Sequence, residues 1–391
     1  MLVLSALLWL SPSTDAAAPP DSIVYADLPA WQGGDCAGGT EPTRPCRVRH
    51  PWAGIDLRAR WTAEGRPAWT DGDTLTLVYE SGAATVEACC TLQMPMSRFA
   101  GSDLWVLSAR VPGLAVATVE YGFLPEGARR LDAMGTLRGP AAAPPPPRSR
   151  VLQGTVRTDS LWSDALGERR AVTVYLPPGH DPARLTPVVY VADGQGVEGL
   201  AAYLEPYVAV GEVPPVILVG IHSGPHRSDE YTTIPVGPDA GPDPTNPRFL
   251  AHERFVLDEL VPWAERTLGA SARREERAAF GFSNGGVWAA FQGVRHPDVF
   301  GAALSFSCGA CSVVVPDDLA SAGAEPAARF YFLAGRLEPR FLLATRAASE
   351  RLQKAGYETV MHERVAGHDS VMWNEQFGDA VRWAFRPRAD G

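Results

Sequence analysis

The chain has 391 residues, 46% of them hydrophobic and 20% charged, with a formal net charge of −10. At roughly 100–200 residues per domain, this length predicts two domains with enough apolar residues for a sizeable core. The acidic balance excludes the basic footprint of a nucleic-acid binder and electrostatic docking on anionic lipid.

The chain opens with MLVLSALLWL, an apolar run too short to span a bilayer. With the small residues Ala16-Ala17-Ala18 after it, the run reads as a signal-peptide core and cleavage region, although the first basic residue is Arg44. Residues 1–21 are therefore expected to be a leader, and the protein periplasmic or secreted. A cytoplasmic location follows if the leader is not a signal peptide.

Residues 22–138 read as a small all-β sandwich. DTLTLVYE, ATVEACC, DLWVLSAR and AVATVEYGF are short apolar or alternating runs, separated by Gly, Ser and Pro turns. No helical period stands out there, and the stretch up to Thr70 reads as irregular. GPAAAPPPPRSR, residues 139–150, is a proline-rich linker expected to be extended and semi-rigid.

Residues 151–391 change rhythm. Apolar strands (AVTVYLPPG, TPVVYVADGQG, PPVILVGIHSG, ARFYFLAG, ETVMHERV) alternate with helical stretches near 199–208, 247–268, 285–295, 341–355 and 371–385. That alternation predicts an α/β fold with a mostly parallel sheet covered on both faces. Ligands of such sheets bind beyond the carboxyl ends of the strands. Gly194, Gly220, Gly281, Gly335 and Gly367 mark that rim. The long loop from His222 to Pro247 is a candidate lid or binding loop.

The six cysteines suggest disulfides in an exported chain. Cys36 and Cys46 are placed to close a Gly- and Pro-rich loop. Cys89 and Cys90 are adjacent, so each is expected to seek a distant partner. Cys308-Gly-Ala-Cys311 is a lone CxxC without the further ligands of a zinc site, so a local disulfide or two inert thiols is expected. No metal and no cofactor is expected.

Gly281-Phe282-Ser283-Asn284-Gly285 sits between an apolar strand and a helix, the pattern of a nucleophile elbow. A strand that turns at once into a helix leaves the serine hydroxyl exposed, and glycines two before and two after avoid collision in the turn. The Asn284 N–H at the helix start is a candidate oxyanion donor, and the turn after VVYVAD supplies a second from Gly194 or Gln195. A serine hydroxyl needs a base. Of the histidines after Ser283, His296 falls at a helix end and His362 within a strand. His368 follows a strand on the functional rim and is preferred. Glu338, just past Gly335, is the expected acid, with Asp317 and Asp318 as alternatives. Asp369 adjoins His368 and has difficulty bending back onto its ring.

Taken together, VYLPPG, DGQG, ILVGIHSGPHRSDEY, DELVPWAERTLG, GFSNGGVWAAFQGVRHPDVFGAALSFS, LAGRLEP and AGHDSVMW resemble the putative esterase family of α/β-hydrolases over about residues 165–387. That family includes enterochelin esterases, esterase D, feruloyl esterases and mycolyltransferases. GSDLWVLSARVPG followed by VEYGF is similar to the β-sandwich that precedes the hydrolase domain of enterochelin esterases. The resemblance implies an ester hydrolase without metal, with Ser283 as nucleophile, His368 as base and Glu338 as acid. Arg227 and Glu230 match the family's Arg-x-x-Glu loop and are expected either to bind an anionic group or to pair with each other. The family often has Met or Leu after the serine, where this chain has Asn284.

The expected partner is a small-molecule ester, foremost a siderophore-type trilactone, and the chain is expected to lack a membrane span. A carbohydrate or feruloyl esterase, an acyltransferase of the same fold, and a binding protein on an inactive hydrolase scaffold are the alternatives. Because all three triad candidates follow the linker, a chain beginning near Arg150 is expected to cleave small esters unaided.

Overall fold

The computed structural model describes residues 23–24, 34–36, 43–49, 56–233, 246–311 and 327–386. The leader, Asp317, Asp318 and positions 234–245 of the long loop lie outside the described residues.

The N-terminal part holds two antiparallel sheets. Thr74–Glu80 pairs with Leu104–Arg110 along its whole length, at the centre of a six-stranded sheet. Val86–Cys90, Met94–Pro95, Thr118–Pro125 and Asp132–Arg138 form a four-stranded one. Side chains alternate across a strand, so Leu75 and Leu77 of one sheet meet Val86, Ala88, Val119, Tyr121 and Phe123 of the other in a single apolar core. The outer face of the six-stranded sheet is covered by a helix, Leu57–Glu64, whose Leu57 and Trp61 pack near Trp69, Val78 and Val106.

That helix corrects the reading of the stretch before Thr70 as irregular. Its ends are set by caps: the Asp56 carboxylate accepts from the Ala59 N–H at 2.9 Å, and Gly65 closes it at φ 66°. Two large apolar residues in two turns are too few to register as a period.

Three disulfides are present: Cys36–Cys46, Cys308–Cys311 and Cys89–Cys90. The last pair corrects the expectation of distant partners. The other four cysteines pair locally, so Cys89 and Cys90, joined by a cis peptide, bond to each other.

The C-terminal part is built on an eight-stranded mixed sheet. Its strands are β1 (Thr155–Ser163), β2 (Glu168–Leu176), β3 (Val188–Ala192), β4 (Ile217–Ile221), β5 (Arg277–Phe282), β6 (Ala302–Phe306), β7 (Arg329–Gly335) and β8 (Thr359–Arg364). They lie in the order β1-β2-β4-β3-β5-β6-β7-β8. β1 and β2 form an antiparallel hairpin, β2 runs antiparallel to β4, and the remaining pairings are parallel. β1 was not anticipated. It is a half-exposed edge strand, TVRTDSLWS, with no apolar run to announce it.

Strand residues alternate between two cores. Val189, Val191, Leu218, Phe280 and Leu333 face the helices Val197–Ala209 and Ser370–Ala384. Val188, Tyr190, Ile217, Val219 and Ala279 face the opposite layer, where Pro247–Arg254 and Val261–Leu268 are joined through a π-helical turn, Phe255–Leu260, beside the helix Asn284–Arg295. The helix Pro339–Lys354 packs through Ala348 and Leu352 on Phe330 and Phe332. Among the described residues, no helix is long and apolar enough to cross a membrane.

Polar groups interrupt the second layer. Glu230 is fully buried and accepts from Arg170 at 2.7 and 2.8 Å and from Arg248 at 2.9 Å. Burial pushes its carboxyl up, but the arginines prevail and hold it below the ordinary value. His252 nearby is fully buried among Tyr231, Phe255 and Trp288, with neither ring nitrogen hydrogen-bonded among the described residues. Burial pushes its pKa down to about 4.

Two outcomes follow. Glu230→Gln leaves the buried Arg170 with Glu168, at 2.6 Å, as its remaining carboxylate partner, and is expected to lower unfolding stability by about 2 kcal/mol in urea titrations, the scale of a lost hydrogen bond to a charged group. For His252, the unfolded chain takes up a proton near pH 6.5 that the fold refuses until about pH 4. Its stabilising contribution is therefore complete above about pH 6.5 and is lost as pH falls toward 4. His252→Phe is expected to flatten that loss by on the order of 3 kcal/mol, read from melting temperatures across the same window. An unchanged slope contradicts the assignment.

Candidate active site

β5 ends at Phe282 and the next helix begins at Asn284, so Ser283 alone makes the turn. Its backbone sits at φ 57° and ψ −126°, a region that side-chain-bearing residues rarely adopt. Three hydrogen bonds hold it. The Ser283 N–H donates to the Phe306 carbonyl of β6 at 3.0 Å, and its own carbonyl accepts from Gly286 and Val287 at 3.0 and 3.2 Å. A β-carbon on Gly281 would lie 2.1 Å from the Gly285 carbonyl oxygen, so glycine is required there. Asn284 heads the helix, where a first-turn N–H has no intrahelical acceptor. Its side-chain amide donates to Ser228 Oγ at 3.2 Å.

His368 and Glu338 meet directly, with His368 Nδ1 2.6 Å from Glu338 Oε2. Glu338 is 5% exposed. Its other oxygen accepts from Ser307 Oγ at 2.6 Å and from the Gly335 N–H at 2.7 Å. Phe341 stacks on the imidazole at a centroid distance of 4.0 Å. Trp373 links this pair to the elbow: it stacks on Phe282 at 4.3 Å, meets His368 edge-on at 4.8 Å, and donates from Nε1 to Ser307 Oγ at 2.8 Å. Ser307, Phe341 and Trp373 thus join the site. Ser307 could have been suspected from its place one residue beyond β6, on the rim.

His296 instead pairs with Glu253 at 2.8 Å, and His362 stacks on Tyr331. Asp369 turns away from the imidazole. Its oxygens accept from the N–H groups of Gly367 and Met372 and from Thr91 Oγ1.

After β3, Asp193 is left-handed at φ 56° and leads into a 3₁₀ turn, Gly194–Gly196. The Gln195 side chain bonds Ser223. Arg227 does not pair with Glu230: its guanidinium clamps both Asp193 oxygens at 2.6 and 2.7 Å. Glu230 lies in the buried ion cluster described above and offers nothing to a ligand. Its register on the short helix Arg227–Tyr231 turns it into the core, which an Arg-x-x-Glu spacing alone does not reveal.

A cavity of about 430 Å³ opens beside His368, between the two parts of the chain. Leu92 and Met94 line it from the β domain, and Leu337 and Phe341 from the other side. Arg44 and Arg340 are exposed on its lining, and neither has an ion-pair partner among the described residues. No group of three or more His, Cys, Asp or Glu suited to a metal ion occurs among the described residues.

The chain resembles known proteins in sequence and in fold. It is 27% identical over 246 residues to the iron(III) enterobactin esterase of Dickeya dadantii, covering 56% of this chain and 53% of that one. It is 25% identical over 169 residues to an endo-1,4-beta-xylanase/feruloyl esterase of Xylanibacter ruminicola, covering 39% of this chain and 22% of that protein. The chain therefore spans about half or less of the length of these two curated relatives. The crystal structure of the enterobactin esterase from Shigella flexneri in the presence of enterobactin superimposes with a TM-score of 0.65 at 18% identity, covering 85% of this chain and 98% of that one. This likeness identifies the C-terminal sheet and its helices as an α/β-hydrolase fold, with the antiparallel sheets added before it. The family model described as Putative esterase matches residues 163–384, more than half of the chain, and the protein belongs to that family.

Proposed function

We propose that the protein is a serine esterase that uses Ser283 as nucleophile, His368 as general base and Glu338 as the acid. The observation that carries this reading is the 2.6 Å contact between His368 Nδ1 and the buried Glu338 carboxylate, on the same rim as the one-residue turn at Ser283. Glu338 fixes Nδ1 as the proton-bearing nitrogen and leaves Nε2 to accept the Ser283 proton. The serine oxygen attacks the ester carbonyl, and the N–H groups of Asn284 and of Gly194 or Gln195 stabilise the oxyanion. His368 returns the proton to the departing alcohol, and water then releases the acyl group by the same route. Loss of one oxyanion donor typically costs about 10²–10³ in rate. Arg227 acts indirectly: by clamping Asp193 it sets the turn that presents Gly194 and Gln195.

The cavity beside His368 suits the substrate's bulk. Its apolar wall accepts an aromatic ring, and Arg44 and Arg340 favour an anionic or catecholate edge. This agrees with the enterobactin named for the relatives above and supports a siderophore-type trilactone. A feruloyl ester is the second reading, favoured by Phe341 as a stacking surface. The three disulfides support an oxidising compartment, in keeping with export.

The test is a panel of an aryl acetate, a catecholate trilactone and a feruloyl sugar, with products analysed with and without an added acceptor alcohol. Hydrolysis is expected, fastest on the trilactone. Transfer to the alcohol in preference to water identifies an acyltransferase instead. Ser283→Ala and His368→Ala are each expected to remove nearly all activity, and the double variant to be little worse than either, because triad members act as a unit. Glu338→Gln falls less far. Full activity in folded Ser283→Ala ends the serine-hydrolase reading. Replacing Arg44 and Arg340 together by Ala is expected to raise KM for the catecholate ester about tenfold and to leave the aryl acetate nearly unchanged; equal effects on both contradict the assigned pocket.

A further inference from the structure

The loop that carries His368 is gripped from outside its own domain. Thr91, at the end of the β-domain strand Val86–Cys90, donates from Oγ1 to Asp369 Oδ2 at 2.6 Å. The same Asp369 oxygen accepts from the Gly367 N–H at 3.0 Å, and its other oxygen caps the last helix through the Met372 N–H at 2.9 Å. Glu120, on the neighbouring strand Thr118–Pro125, accepts from both the N–H and the hydroxyl of Ser370, at 2.9 and 2.7 Å. Thr91 and Glu120 are themselves tied together. The Glu120 N–H donates to Thr91 Oγ1 at 2.9 Å, and the Thr91 N–H to the Glu120 carbonyl at 3.1 Å. Contact is close on the other side as well, because a β-carbon on Gly367 would lie 2.6 Å from the Thr91 Cα. Asp369 and Ser370, which follow His368, are thus held by two β-domain side chains, Gly367 before it packs on the Thr91 backbone, and Thr91 and Asp369 are buried.

We propose that Thr91 and Glu120 are positioning residues for His368, so that the β domain completes the reaction centre. This rests on the reading of His368 as the base for Ser283. Neither residue touches the reacting atoms in this role. The Thr91 hydroxyl is a relay: it takes a hydrogen bond from the Glu120 backbone and gives one to Asp369, and Asp369 ties Gly367 to the start of the last helix. With that relay broken, the imidazole keeps its Glu338 partner but loses its fixed approach to the serine. A displacement of about 1 Å at such a distance from the chemistry can cost on the order of 10²-fold in rate.

The experiment uses the full chain and a small aryl acetate, which needs little of the cavity. Thr91→Val keeps the shape of the side chain and removes its hydroxyl, and Thr91→Ser keeps the hydroxyl. Expected for Thr91→Val is a kcat lower by about tenfold or more, with KM within about twofold of the parent. Expected for Thr91→Ser is a kcat within about threefold of the parent. Because Thr91 also lines the cavity, a raised KM with unchanged kcat means a substrate contact and overturns the proposal. So does an equal kcat loss in both variants, which marks a packing role, or a parental kcat in Thr91→Val. Should Thr91→Val fail to fold, Glu120→Ala serves. It removes both acceptors of the Ser370 N–H and hydroxyl and is expected to lower kcat several-fold at constant KM, whereas a parental kcat there overturns the proposal. Ser283→Ala is run alongside. If it is inactive while the Thr91 and Glu120 variants behave as the parent, only the positioning proposal falls. If it is fully active, the triad reading falls and takes the proposal with it.

Discussion

The backbone of Ser283 is the constraint on which the candidate site depends. Its conformation costs a non-glycine residue on the order of 1–3 kcal/mol, and it persists only where the surroundings over-determine it. β5 lies inside the sheet, paired with β3 on one side and β6 on the other, so the strand cannot shift to relieve the turn. The following helix is anchored through Val287 and Trp288, both buried, so it cannot retreat either. Between these fixed ends Ser283 is presented at the rim, and the β6 carbonyl of Phe306 takes up its N–H.

Two buried carboxylates sit on either side of His368, and their surroundings divide their work. Glu338 faces the ring. Desolvating a carboxylate costs several kcal/mol unless it is paired and hydrogen-bonded, and donors from Ser307, Gly335 and His368 meet both of its oxygens. Asp369 faces backbone and the β domain. Burial, with the Glu120 carboxylate nearby, pushes its pKa up to about 6 even though three donors favour the ion. One carboxylate therefore serves the imidazole, and the other serves the loop that carries it.

The α/β fold was legible because its buried strands are continuous apolar runs, and the elbow was legible because glycine spacing reports a steric rule. What failed had weaker local signals. β1 is polar and half exposed, and the helix Leu57–Glu64 has only two apolar anchors. Glu230 turned out to serve a buried ion cluster, because a spacing of three fixes a helical face but not which side of that face is core. Ser307 was hidden because it works through two other side chains, Glu338 and Trp373. The bond between Cys89 and Cys90 depends on how the other four cysteines pair, which no local pattern states.

The least legible feature is the dependence between the two parts of the chain. A proline run reads as a tether, yet both its ends are fixed: the Gly139 N–H donates to the Ala117 carbonyl and the Ser149 N–H to the Ala202 carbonyl. Leu337, next to Glu338, is buried in the β-domain core, and Val365, three residues before His368, packs against that core and accepts from the Thr118 N–H at 2.9 Å. The loops after β7 and β8, which carry Glu338 and His368, are therefore both seated on the β domain, while Ser283 is seated on the C-terminal sheet. The placement of His368 relative to Ser283 is then a property of the interface between the two parts. For that reason the linker, although it marks a boundary in composition, does not mark a boundary in packing.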